Sequence, residues 1–173
     1  MERLNQAIAN THARLLAEMQ QHGHWEGELS SSALSTATAV VALSLVDATA
    51  HEGFIRAGVR WIAAHQNSDG GWGDTPVSRS NLSTTLLCWS ALGIVSQEAP
   101  IEVVRLCEMW IRNTVGSLRP DEVAKAVIAR YGKDKTFSVP ILMMATLCGR
   151  MGDNAWSRVL PLPFELAVLP RSW

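Results

Sequence analysis

Residues 65–74 read HQNSDGGWGD: Gln66, a run of small and polar residues, the Gly70-Gly71 pair and the aromatic ring of Trp72. A loop built only for solubility has no use for an indole six residues after a glutamine. The stretch has a second copy. Leu16-x-x-x-Gln20 followed by Gly23-His24-Trp25 returns as Ile62-x-x-x-Gln66 followed by Gly70-Gly71-Trp72. Beyond each Trp, Leu34-Ser35-Thr36 returns as Leu82-Ser83-Thr84, opening ALSTATAVVALSLV in one copy and NLSTTLLCWSALGIV in the other. The offset is 46 at the Gln, 47 at the Trp and 48 at the Leu. Slippage confined to the loops, with the helices kept in phase, is the mark of a repeated helix–loop–helix unit.

From this unit the rest of the chain reads as helices near 3–21, 32–47, 52–66, 81–95, 101–114, 121–130 and 138–150, with no strand required. The helical spacing of Ile55, Val59 and Ile62, and the Ser31 and Asn81 positions ahead of apolar runs, support the assignment. A third, degenerate unit after residue 101 sets Trp110-Ile111 where Trp61-Ile62 stands but lacks the Gln–Gly–Trp turn. Gly149 is expected to end its last helix as Gly93 ends the one before. The expected architecture is all-α, a partial α/α toroid of helix-pair repeats at 3–47, 52–95 and 101–150. One domain is expected over residues 1–173, with a C-terminal strap at 155–173.

The physics of the turn follows from its residues. A Gln at a helix end can donate its amide hydrogens to orphan backbone carbonyls, and its own carbonyl can accept at the start of the next helix. The indole can cover that amide with apolar surface while the glycine pair lets the chain turn beneath it. Gln20, Trp25, Gln66, Gly70, Gly71 and Trp72 are therefore read as a structural staple rather than a catalytic or cofactor site.

Composition narrows the partners. Fifteen basic residues against sixteen acidic ones leave a formal charge of −1, so no basic stripe argues for nucleic acid. The N-terminal residues carry charges throughout, unlike a secretory signal, and the best candidate for a span, Ala37 to Val46, is too short to cross a bilayer. Cys88, Cys107 and Cys148 are odd in number and sit in apolar helical patterns, as reduced core thiols of a cytoplasmic protein would. His22-x-His24 has no third ligand nearby and reads as two solvated loop histidines. Ser30-Ser31-Ser32 reads as a cap, Asp69 and Asp74 as solvated carboxylates, Lys133-Asp134-Lys135 as a solvated loop, and Trp89 and Trp110 as core. No catalytic residue, cofactor site or metal site is expected.

Arg56-Ala-Gly58-x-x-Trp61-Ile62-x-x-x-Gln66-x-x-x-Gly70-Gly71-Trp72 resembles the QW repeat of the triterpene cyclases, the squalene–hopene cyclases and their oxidosqualene relatives. Residues 23–30, GHWEGELS, resemble the loop after the first helix of the bacterial enzymes. Residues 131–140, YGKDKTFSVP, and 162–167, LPFELA, resemble later parts of the same N-terminal region. The resemblance implies two α/α-barrel domains in a parent several times longer than this chain. It also implies an acid in a DxDD motif, housed in the other domain, that protonates a polyprene. No DxDD occurs here. Protonating an alkene takes a desolvated acid among aromatic faces, and seven Trp, three Phe and one Tyr, several already used by the repeats, make a poor cavity of that kind.

The resemblance therefore implies an architectural part of a terpene cyclase, partnered by a cyclisation domain on the same or a separate chain. A polyprenyl lipid is expected only in the full enzyme, and membrane contact only peripherally there. The alternative is a free-standing helical-repeat binding module. An arc of three helix pairs is also expected to leave an apolar edge through which it self-associates. Residues 160–170, LPLPFELAVLP, are too apolar to stand in water and too rich in proline for a regular helix at their start. They are read as a strap that docks the partner domain, the alternative being that they fold back over this chain's own helices.

Overall fold

A computed structural model describes residues 1–19, 23–25, 29–95 and 99–161. Among the described residues there are seven α-helices, one 3-10 helix and no strand. The helices are α1 (Glu2–Ala17), α2 (Ala33–Asp47), α3 (Glu52–Ala64), α4 (Leu82–Ile94), α5 (Ile101–Val115), α6 (Pro120–Tyr131) and α7 (Lys135–Leu147). The 3-10 turn, Ala155–Arg158, follows α7. The chain divides into two compact units, Met1–Ser30 and Ser31–Trp173.

The first unit holds α1, none of whose residues is buried. Leu4, Ile8, Leu15 and Leu16 are all exposed. Its loop carries the first copy of the repeat, and there the Trp25 indole Nε1 donates to the Leu15 carbonyl at 2.6 Å. Gln20, the other residue singled out in this copy, lies outside the described residues.

The second unit is two layers of helices. α2, α4 and α7 form the inner layer, α4 packing against both of the others, while α3 packs on α2, α5 on α4 and α6 on α7 from outside. Sequence dictates the division. Helices α3 and α5 bury one stripe each, Ile55, Val59 and Ile62 in the first and Cys107 and Ile111 in the second, whereas α4 is buried at every position from Leu82 to Leu92. A helix with one apolar stripe can stand at the surface; one apolar all round must be central. The shared core gathers Val40, Ile62, Trp72, Leu86, Leu92, Ile111, Val127 and Leu142.

Helix ends refine the expected boundaries. Asn81 caps α4, its Oδ1 accepting from Thr84 N at 3.0 Å. The cap of α2 is Ser32 rather than Ser31, its hydroxyl accepting from Ser35 N. Helix α7 begins three residues before its expected start because Asp134 caps it, accepting from Thr136 N at 2.9 Å. Pro140 thus falls in the second turn, where the missing N–H leaves the Thr136 carbonyl without its helical donor. Gly149, in the left-handed region at φ +72°, follows the end of α7 as expected.

Gly93 does not end α4. It lies within the helix, and its missing Cβ makes room for the guanidinium of Arg150. Arg150 Nε and Nη2 both donate to the Trp89 carbonyl, at 3.0 and 2.8 Å, and its guanidinium carbon lies 4.5 Å from the centre of the Trp89 ring. The Trp89 indole in turn donates to Glu108 Oε1 at 3.3 Å. One cation on one ring thereby ties the end of α7 to α4 and α5.

Candidate functional site

The turn between α3 and α4 concentrates the polar side-chain chemistry of the second unit. Trp72 is 1% exposed, and its Nε1 donates to the Ile62 carbonyl at 2.9 Å. The indole therefore satisfies a carbonyl in the last turn of α3, as Trp25 does for Leu15 in the first copy. Each bond spans ten residues, so across this bond the offset between the copies is 47, with Leu15 rather than Leu16 standing for Ile62. The Trp72 backbone is held from the other side: its N–H donates to Thr85 Oγ1 at 3.0 Å and its carbonyl accepts from Asn81 N at 2.9 Å.

Gln66 donates both amide hydrogens to backbone, at 2.9 Å to the Gly70 carbonyl and at 2.9 Å to the Val103 carbonyl. The first bond closes the turn on itself; the second crosses to the first turn of α5. The amide thus does donate to backbone carbonyls, as its chemistry suggests, but to those of the turn and of a neighbouring helix. The start of α4 is served by Asn81. At the end of α3 the ring that stacks is Trp61, on His65, at 3.9 Å between centroids and 17° between planes.

The two glycines are needed for different reasons. Gly70 has φ +91°, and a Cβ there would lie 2.5 Å from the Leu106 carbonyl oxygen. Gly71 has ordinary backbone, but a Cβ would lie 2.6 Å from that of Ser80.

Asp69 and Asp74 are more than solvated. Asp69 Oδ1 accepts from Gly71 N at 3.0 Å and from Ser80 Oγ at 2.7 Å, and Oδ2 accepts from the Trp110 indole at 3.1 Å. Partial burial works to raise its pKa, but the bonds from Ser80, Gly71 and Trp110 outweigh it and hold the carboxyl below the ordinary aspartate value. Trp110 is accordingly a half-buried clamp on the turn rather than a core ring. Asp74 Oδ1 accepts from Thr84 Oγ1 at 2.6 Å and Asn81 Nδ2 at 2.9 Å, and these two bonds, aided by the charge of Arg130, depress its pKa against its partial burial.

The sign of the linkage follows. Because both groups bind protons more weakly folded than unfolded, their contribution is complete above the unfolded value of about 4. It is lost as pH falls through the lower folded values. Urea denaturation between pH 6 and 3 is expected to show stability falling below about pH 4, with a shallower fall in Asp69→Asn/Asp74→Asn. An unchanged slope in that variant would remove both groups from the account.

The second feature is an apolar groove of about 560 Å³ on the inner layer, walled by Leu34, Val41 and Leu45 of α2, Ser83 and Leu87 of α4, and Phe137, Pro140, Ile141, Met143, Met144 and Leu147 of α7, with Tyr131 at the end of α6. Its hydroxyls are paired, Ser83 Oγ lying 2.6 Å from Tyr131 OH, and the Tyr131 ring stacks on Phe137 at 5.7 Å. Among the described residues, no acid, base or thiol lines it. The three thiols are buried and unpaired. Burial raises the pKa of Cys88 and Cys107 and pushes that of Cys148 up to about 11, so all three stay protonated and weakly nucleophilic.

Among the described residues, no group of three or more His, Cys, Asp or Glu is gathered as for a metal. Nor is any helix among them long and apolar enough to cross a membrane. His22 lies outside the described residues.

The inner and outer helices of the second unit, with the Gln66–Trp72 turn between α3 and α4, define the class: a helical-toroid domain of the cyclase type. Residues 8–147 match the family model of the squalene-hopene cyclase N-terminal domain, and the chain belongs to that family. It is 28% identical over 157 residues to the alpha-onocerin synthase LCD of Lycopodium clavatum, an alignment covering 87% of this chain and 18% of that protein. The chain thus spans less than a fifth of the length of this relative. No solved structure matches it.

Proposed function

We propose that the chain is an architectural, non-catalytic part of a triterpene cyclase, a helical support for a cyclisation domain supplied by the same or a separate chain. The observation that carries this reading is how the acids are placed. The apolar groove, a concavity with the chemistry to hold a hydrocarbon, has paired hydroxyls and no acid among the described residues of its walls. Asp69 and Asp74, which flank the repeat turn, are held ionised by the hydrogen bonds that close it. A carboxylate stabilised in its charged form is the opposite of the desolvated, protonated acid that alkene protonation needs.

The curated relative is named as a synthase of alpha-onocerin, and this chain corresponds to less than a fifth of it. Chemistry in the remaining part is consistent with a supporting role here. The reading places the chain in the cytoplasm, supported by its three unpaired buried thiols. Lipid substrate and peripheral membrane contact belong to the full-length setting.

The test is direct. Incubation of the purified chain with squalene and with 2,3-oxidosqualene, followed by extraction and gas chromatography, is expected to yield no cyclised product above a protein-free control. Turnover by the chain alone would overturn the assignment.

A further inference from the structure

The groove between α2, α4 and α7 is apolar along its length and polar at one end. Helix α7 walls it from Phe137 to Leu147, about 15 Å along the helix axis at about 1.5 Å per residue, through Pro140, Ile141 and Met144. The polar end is where Tyr131 stacks on Phe137 and where Ser83, in the first turn of α4, meets the Tyr131 hydroxyl at 2.6 Å. The groove's volume of about 560 Å³ lies inside the range of small-molecule sites, which combine apolar walls with a few placed polar groups.

The hydroxyl pair is not saturated. Two hydroxyls carry two hydrogens and four lone pairs, and the single bond between Ser83 and Tyr131 uses one of each. Neither hydroxyl makes another bond among the described residues, so one hydrogen and three lone pairs remain at the head of the groove. Thr38, the other hydroxyl in the walls, has spent its hydrogen on the Leu34 carbonyl at 2.9 Å. A third hydroxyl placed beside the pair closes a ring in which each oxygen donates once and accepts once, an arrangement in which the bonds polarise one another. An alkene, an ether or a halide cannot close that ring, because none of them donates.

We propose that this groove is a binding site for a neutral, single-headed amphiphile, a medium-chain primary alcohol, with its hydroxyl on Ser83 and Tyr131 and its chain laid along α7 towards Leu147. A charged head is disfavoured, since the described walls hold no opposite charge to offset its desolvation. The ligand is held and not transformed, so the inference stands whether or not the architectural role is right.

Displacement of a neutral solvatochromic dye from the full 173-residue chain tests it, with 1-dodecanol, 1-chlorododecane and dodecanoate at pH 8 as competitors. Half-displacement by 1-dodecanol is expected at a concentration at least three times lower than by 1-chlorododecane and at least ten times lower than by dodecanoate. In Ser83→Ala/Tyr131→Phe the alcohol is expected to lose its advantage over the chloride. That ratio is the readout because partial unfolding would weaken both ligands alike. An advantage absent from the unaltered chain, or kept in the double variant, would overturn the proposal, as would dodecanoate binding as tightly as the alcohol. Leu147→Trp, which fills the far end, is expected to weaken 1-dodecanol several-fold and leave 1-hexanol unchanged; equal loss for both, or loss for neither, would overturn the placement of the chain along α7.

Discussion

Replacing Trp72 with alanine is expected to destabilise the second unit by about 3–5 kcal/mol, the range for a fully buried large aromatic. For a unit of this size that corresponds to a fall in Tm of roughly 10 °C or more. Two losses combine. The ring is 1% exposed, between the end of α3 and the start of α4, so its removal opens a cavity that the surrounding helices close only in part. The Ile62 carbonyl also loses the indole donor that reaches it at 2.9 Å, in surroundings where Ile62 itself is fully buried. Trp72→Phe keeps most of the volume and removes only the donor, so it is expected to cost about 1–2 kcal/mol. Gln66→Ala, which leaves the Gly70 and Val103 carbonyls without the amide donor, belongs in the same smaller range.

The equivalent change in the first copy supplies the contrast. Trp25 makes the same indole-to-carbonyl bond, to Leu15, but is 51% exposed, so Trp25→Ala is expected to cost under about 1 kcal/mol. Chemical denaturation of the four variants decides the matter. Equal effects at Trp72 and Trp25 would mean that burial does not govern the strength of these turns.

What the sequence discloses of this architecture is what periodicity and caps encode. Ile55, Val59 and Ile62 announce the buried stripe of α3, and Asn81 announces the start of α4, because helix faces and helix ends are local properties. The family-like turn is legible for the same reason: Gln66, Gly70, Gly71 and Trp72 lie within seven residues of one another, and most of their chemistry stays inside the turn. The contacts that fix the turn in space were not legible. Gln66 reaches Val103 across 37 residues, Trp110 reaches Asp69 across 41, and Ser83 meets Tyr131 across 48. A helical pattern gives the face on which Trp110 stands, but it does not give the neighbour on that face, so the indole read as core is a clamp on a carboxylate. Gly93 was misread by the same logic. A glycine near the end of an apolar run resembles a helix stop, and only the approach of Arg150 from α7's far end reveals it as space reserved inside a helix.

Gly70→Ala is expected to be a strongly damaging single-methyl change, at about 2–5 kcal/mol from backbone strain and overpacking together. At φ +91° any L side chain is strained. The added Cβ would also lie 2.5 Å from the Leu106 carbonyl oxygen and 2.9 Å from its carbonyl carbon. Those are backbone atoms of α5, so relief cannot come from a rotamer change; either the turn or the helix must shift. A shift of either one breaks the Gln66 bond to Val103, one turn earlier on α5, and the Trp110 bond to Asp69, one residue before Gly70.

Gly93→Ala is the informative comparison, because its added methyl meets the far end of the Arg150 side chain. That side chain can swing away, and alanine gains about 1 kcal/mol of helix propensity over glycine. The net cost there is expected to stay below about 2 kcal/mol, the loss of the Arg150 bonds to the Trp89 carbonyl being partly offset. Measured by thermal denaturation, Gly70→Ala should melt well below Gly93→Ala. If Gly93→Ala proves the worse of the two, the turn is more yielding than its contacts imply, and the second unit is held together instead by the Arg150 clamp on Trp89.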